Sequence, residues 1–211
     1  MSGRVKTLVL VFAGLAWLAS LGVGLSVLWQ YEHAPGAVIA AAPSSWPPHT
    51  GIGRVPGRAT LVMLVHPQCP CSRASVGELA LIMARAQGVV DAHVLFYQPA
   101  GASSNWHETD LWSAAAAIPG VDVAVDEDGA EADRFGVATS GHTLLYDDRG
   151  QLQFTGGITA SRGHSGDNAG RSAIVSLLLH HAAEQRSTSV FGCSLLDRCL
   201  TRCGLFGRTL S

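Results

Sequence analysis

Cys69 and Cys71 stand one residue apart in the stretch His66-Pro67-Gln68-Cys69-Pro70-Cys71-Ser72-Arg73. Two thiols this close can exchange disulfides or hold a soft metal ion, and both chemistries use the thiolate. The flanking residues supply the means to make one. Leu61 to Val65, LVMLV, is a continuous apolar run that reads as a buried strand, broken at His66-Pro67. Val76, Leu79, Ile82 and Met83 then recur at the three-and-four spacing of a single helix face. The cysteines therefore fall at or just before a helix N-terminus. Exposed N–H groups and the positive dipole end favour a thiolate there, and Arg73 adds a nearby cation.

The rest of the chain must carry that strand, turn and helix. With 211 residues, 47% hydrophobic and 14% charged, it has room for a membrane segment and one domain with a substantial core. A net charge of -2 and a single lysine, Lys6, argue against nucleic acid as a partner, because such a surface needs clustered basic groups. Thr7 to Tyr31 contains no charged residue, and residues 8–28 are long enough to cross a bilayer as a helix. Arg4 and Lys6 precede this run and Glu32 follows it, with Trp29 and Tyr31 at the far interface. The expectation is a cytoplasmic N-terminus, a single-pass anchor over 1–32 and an extracytoplasmic main domain, periplasmic in a Gram-negative cell. The alternative is a signal peptide cleaved near Ala40-Ala41-Ala42; either way the domain is exported to a compartment where disulfides persist.

Residues 33–58 are rich in Pro, Gly, Ser and Ala without periodicity and read as a linker. The folded domain is expected over 59–185, followed by a cysteine-containing tail over 186–211. Beyond the first helix, Val89 to Tyr97 reads as a second strand and Ser103 to Ile118 as a helix with Ser104 as N-cap. Val121 to Val125 reads as a third strand. Asp126-Glu127-Asp128 is expected to be a solvated turn, with one or two helical turns before Phe135. Two strands follow around Asp148-Arg149-Gly150, and a last helix capped by Asp167 or Asn168 runs to about His181.

This order predicts an α/β fold with helices layered on a mixed sheet. The strand-turn-cysteine-helix opening and VDVAVDEDGAEADRFGVATSGHTLLYDDRGQLQFTGGIT resemble the thioredoxin-like superfamily over about residues 59–181, particularly its exported, membrane-tethered members. HPQCPCSRAS, TSGHTLLYD, GGITASRGHSGDNAG and VFGC are similar to the RedB-like proteins within it. The resemblance implies a central mixed sheet flanked by helices and thiol-disulfide exchange with exported protein thiols or disulfides. It also implies a protein electron donor or acceptor, and no required cofactor.

Two departures bear on mechanism. The superfamily motif is C-x-x-C, whereas Cys69-Pro70-Cys71 has one intervening residue, so either Gln68 or Ser72 fills the vacated motif position. Cys69, earlier in the turn and expected to be the more exposed, is the candidate nucleophile, with Cys71 resolving. A disulfide between them closes a small ring, strained and easily reduced. The second departure is His142, which stands before the Thr-Leu strand where the superfamily typically has a cis-proline. A histidine facing the cysteines is a candidate acid or base, making Cys69, Cys71, Arg73 and His142 the expected catalytic set. It is alternatively the third ligand, with Cys69 and Cys71, of a copper site; otherwise it merely turns the chain.

Other polar groups carry weaker signals. His66 can tune Cys69 or simply end the strand. Arg162, His164 and Asp167 lie in a glycine-rich loop that can close over the site, with Arg162 offered to an anionic group. His180-His181 complements a helix dipole. Cys193, Cys199 and Cys203 bring the cysteines to five, so at least one stands outside any intramolecular pairing. Cys193 is a candidate distant resolving thiol or a structural one, and Cys199 with Cys203 can pair, bind metal or do neither. The peroxiredoxin pattern P-x-x-x-T-x-x-C is absent around Cys69 and Cys71. Three readings follow: a thiol-disulfide oxidoreductase, a copper-binding or copper-delivery protein of the same fold, and a non-catalytic tethered binding module.

Overall fold

A computed structural model describes residues 3–38 and 40–195, in two compact units divided at Ala34. The first is one helix, α1 (Gly3–His33), with no buried residue and a mean hydropathy of 2.3 over its most apolar window. At 1.5 Å per residue it is about 46 Å long, enough to cross a bilayer.

The second unit is built on a five-stranded sheet. Its strands are β1 (Ala59–Val65), β2 (Val90–Gln98), β3 (Val121–Glu127), β4 (His142–Tyr146) and β5 (Leu152–Gly156), in the spatial order β3-β2-β1-β4-β5. β1, β2 and β3 are parallel, with Leu61 opposite Ala92 and Val94 opposite Val123. β4 and β5 are antiparallel to their neighbours, with Leu64 opposite His142 and Thr143 opposite Gly156. Helices α2 (Ser72–Arg85), α3 (Asp110–Ala116), α4 (Ala130–Phe135) and α5 (Ala169–His180) complete it. This is the expected mixed sheet flanked by helices.

From Leu61 to Val65 β1 is apolar because both its faces are buried. Leu61, Met63 and Val65 point into one core with Leu79, Ile82 and Met83 of α2 and Ile174 and Leu177 of α5. Val62 and Leu64 point into the other with Phe135 of α4 and Tyr146 of β4. That second core accounts for two departures from expectation. Of the expected linker over 33–58, only His33 is helical, as the last residue of α1, and the other described residues form no helix or extended strand; yet the described part beyond Pro35 is not a free linker. Trp46 meets Phe135 and Tyr146 edge-on, and Ser45 pairs with Gln151 beside β5. Residues 186–195 are likewise part of the domain, since Leu195 is fully buried in the same core. Both segments fill a sheet face that α4, only six residues long, cannot cover alone.

Two further expectations are corrected. The helix anticipated from Ser103 begins only at Asp110, where the Thr109 side chain accepts from the Trp112 N–H. Asp126 is not solvated: it is 1% exposed, and its carboxylate accepts from the Glu131 and Ala132 N–H groups at 2.7 and 3.0 Å. Burial nevertheless pushes the Asp126 carboxyl above its usual range. The last helix is capped by Asn168, whose side-chain oxygen accepts from the Arg171 N–H.

Candidate functional site

β1 delivers the chain to His66, and a tight turn in which the Cys69 N–H donates to the His66 carbonyl carries it into α2. Cys71 is the N-cap of that helix and Ser72 its first residue. Both cysteines thus lie at the helix N-terminus, as the apolar spacing of α2 predicts. Cys69 is buried at 4% exposure, contrary to its expected accessibility, and Cys71 is half-buried. The turn folds Cys69 back toward the sheet, and a chain segment far away in sequence covers it.

That segment is 190–195. The Ser140 N–H donates to the Cys193 carbonyl at 2.9 Å and the Leu195 N–H to the Ala138 carbonyl at 2.8 Å, so the segment pairs with the loop that precedes β4. Thr139 and Ser194 form the bridge between them. The pairing brings Cys193 against the first two cysteines. The sulfurs of Cys69, Cys71 and Cys193 all lie within 4.8 Å of one another, and none is in a disulfide. Arg162 donates to the Gly192 carbonyl, fixing the segment from the other side and bringing a positive charge to the cluster.

Burial pushes the Cys69 thiol up, but hydrogen bonds to its sulfur outweigh this and bring it down to about 7. Ser72 and Cys193 supply them, each through side chain and backbone. Counting protons orients the chain behind Ser72. The Ser72 and Ser140 hydroxyls are 2.7 Å apart, and Ser140 also accepts from the His66 N–H at 2.7 Å. If Ser72 gives its only hydroxyl proton to Cys69, Ser140 must give its own to Ser72. The line of donors runs from the His66 amide through two buried hydroxyls to the sulfur. Cys71 is raised, first by burial and then by the charge on Cys69, with Arg162 opposing. Cys193 is pushed up to about 12 by burial, by its hydrogen bond to Cys69 and by the charges on Cys69 and Cys71. Of the three thiols, Cys69 is thus the first to ionise.

The remaining expected residues are distributed differently. Arg73 pairs with Asp110 on the exposed surface, so the cation felt by the sulfur cluster is Arg162. His142 opens β4, but its Nε2 lies 2.8 Å from the Thr155 hydroxyl of β5 and it is not in the group of converging donor atoms. Burial holds its imidazole down at about 4, hence neutral. The residues opposite the start of α2 are Ser140 and Gly141, a Cβ on the latter falling 2.8 Å from the Ser75 hydroxyl. No peptide bond among the described residues is cis. The His66 ring packs against Tyr97 and Trp106, its Nδ1 accepts from the Gln68 N–H, and it is not in the group of converging donor atoms. The glycine-rich loop does approach the site, since a Cβ at Gly163 would lie 4.0 Å from the Cys71 Cα. His164 is exposed and bonds back to the Arg162 carbonyl at 2.9 Å, Asp167 pairs with Arg171, and Cys199 and Cys203 lie outside the described residues.

Sequence reasoning placed Ser72 in the motif but missed its bond to Cys69, and it missed Ser140 and the buried pair Glu78–Arg171. Glu78 is 1% exposed; its Oε1 accepts from the Gly166 N–H at 2.8 Å, and its Oε2 from Asn168 and Arg171. This network ties α2 to the loop beside Cys71. The available signal is an acidic residue among Val76, Leu79, Ile82 and Met83 on the buried face of α2.

No protein-family model and no curated protein sequence matches the chain. Among solved structures, it is similar to a hypothetical protein of Sinorhizobium meliloti, with 18% identity over 76% of this chain and 94% of that one, at a TM-score of 0.56. An uncharacterized conserved protein of Geobacillus kaustophilus aligns over 78% of this chain and 94% of its own, with 16% identity and a TM-score of 0.57. The exposed lipoprotein thioredoxin of Streptococcus pneumoniae aligns over 59% of this chain and 85% of its own, with 20% identity and a TM-score of 0.42. The first two alignments, each over 94% of the other chain, show a shared fold.

Proposed function

We propose that this protein is a membrane-anchored, extracytoplasmic thiol-disulfide oxidoreductase in which Cys69 is the nucleophile. The observation that carries the reading is the convergence of three thiols at one helix N-terminus, with a line of hydrogen-bond donors aimed at the Cys69 sulfur. The Cys69 thiolate attacks a partner disulfide, expelling one partner thiolate and forming a mixed disulfide. Loss of the Cys69 charge removes a cause of the raised Cys193 thiol. Cys193 then attacks the Cys69 sulfur, leaves Cys69–Cys193 oxidised and passes its proton to the departing second partner thiol. Both electrons have gone to the partner, and an exported or membrane-borne dithiol donor restores the enzyme. Cys71, within the same reach, can take the disulfide over by attacking Cys193. The α1 helix as an uncleaved anchor with a cytoplasmic N-terminus, and the likeness of the motifs to RedB-like proteins, belong to the same proposal.

The test is a redox titration of the full chain in detergent with metal chelated, read by thiol alkylation and mass spectrometry. A reversible two-electron transition in which Cys69 and a second cysteine are protected together, abolished by Cys69→Ser, supports turnover. If no cysteine changes state between strongly reducing and strongly oxidising buffers, the reading fails.

A further inference from the structure

We propose that Cys69, Cys71 and Cys193 form a three-coordinate thiolate site for one Cu(I) ion. Three sulfur ligands about 2.3 Å from a closed-shell ion, the usual zinc–thiolate length, stand about 4.0 Å apart in a trigonal plane. The three sulfurs already lie within 4.8 Å of one another, so closing on an ion needs contraction of less than about 1 Å on any edge. The seat of the third ligand is fixed by backbone pairing on both sides of Cys193, by burial of Leu195 and by the Arg162 bond to Gly192. Among the described residues no histidine or carboxylate joins the group, so the four protein ligands of a structural zinc site are not assembled. An all-thiolate set of three suits a soft monovalent ion instead. Three thiolates and one Cu(I) carry a net charge of -2, and the Arg162 guanidinium offsets part of it. The ligand set replaces the one anticipated from sequence, in which His142 was the third donor.

This inference shares its sulfurs with the redox reading but does not rest on turnover. The experiment uses the full chain in detergent with Cys199→Ser and Cys203→Ser, leaving only the three thiols. It is reduced, held anaerobic and titrated with Cu(I) against a Cu(I)-selective chelator, and copper K-edge absorption counts the ligands. The expected result is one copper per chain with three sulfur neighbours. Cys193→Ser should weaken binding about tenfold or more and leave two sulfurs. Gly192→Ala, which keeps all three thiols but displaces one of them, should weaken it similarly. Two sulfur neighbours in the three-thiol chain, or undiminished affinity in Cys193→Ser, overturns the proposal. The chelated redox titration is a separate readout. A chain that titrates without binding copper fails only here, and one that binds without titrating fails only as an oxidoreductase.

Discussion

Gly192 and Ser140 pass so closely that a Cβ placed on Gly192 would lie 2.0 Å from the Ser140 carbonyl oxygen. Backbone does not yield by the ångström or more that such a contact demands, so only glycine permits the 190–195 segment to reach the loop before β4. Cys193 is the next residue. Its position against Cys69 therefore depends on a missing side chain at a site that carries no chemistry of its own.

Gly192→Ala should separate Cys193 from Cys69 without altering any thiol. With Cys193 gone, Cys69 loses both its cover and two of its hydrogen bonds. Alkylation of Cys193 in the reduced chain should speed up several-fold, and mild oxidation should yield less Cys69–Cys193 disulfide in peptide maps. Unchanged yields would mean that the segment adapts elsewhere and that the close approach does not hold the cluster together.

A second prediction concerns the hydroxyls. Ser72→Ala removes the donor at the end of the line from the His66 amide, and Ser140→Ala leaves Ser72 free to turn its proton away from the sulfur. Cys69, held at about 7 in the native chain, should rise in both variants. A hydrogen bond to a charged group is worth about 1.5 kcal/mol or more, so the Cys69 alkylation rate at pH 7 should fall about tenfold in Ser72→Ala. At pH 10, where the thiolate forms regardless, native and variant rates should converge. A loss that persists at high pH would point to blocked access instead of a shifted ionisation.

Glu78 and Arg171 make a third case. Each is buried, so removing one leaves the other charged and without its main counterion. Glu78→Gln or Arg171→Met should cost about 3–5 kcal/mol by urea unfolding. The double variant Glu78→Leu with Arg171→Met should recover much of that loss, because a buried pair replaced together leaves no orphan charge. A double variant no better than the singles would show that Gly166 and Asn168, which also bond to Glu78, dominate the network.

Much of this architecture is legible in the chain itself. The LVMLV run and the spacing of Val76, Leu79, Ile82 and Met83 give β1 and α2, and with them the placement of Cys69 and Cys71, because both signals are local periodicities. What the sequence does not reveal is set by long-range packing. Nothing near Trp46 or Leu195 announces that they share a core, since a lone apolar residue in a Pro/Gly-rich or polar stretch has no period to read. Cys193 was visible as a candidate, yet its proximity to Cys69 depends on Gly192, Leu195 and Arg162 acting together. His142 stands beside the right loop but opens β4, where its side chain turns to Thr155 of β5.

His142 gives the last prediction. Burial holds its imidazole at about 4, well below the usual value of about 6.5 for an exposed histidine. Between those values the unfolded chain binds a proton that the folded chain does not, so stability rises with pH across that window. The contribution is complete above about pH 6.5 and is lost progressively as pH falls toward 4, by up to about 3 kcal/mol. His142→Gln can keep a hydrogen bond to Thr155 but cannot titrate, so its urea midpoint should decline less steeply than that of the native chain from pH 6.5 to 4. The carboxylates titrate in both proteins and cancel in the comparison. If the two profiles run parallel, His142 gains its proton in the folded state as readily as in the unfolded one. Its imidazole would then be open to water and available to a partner.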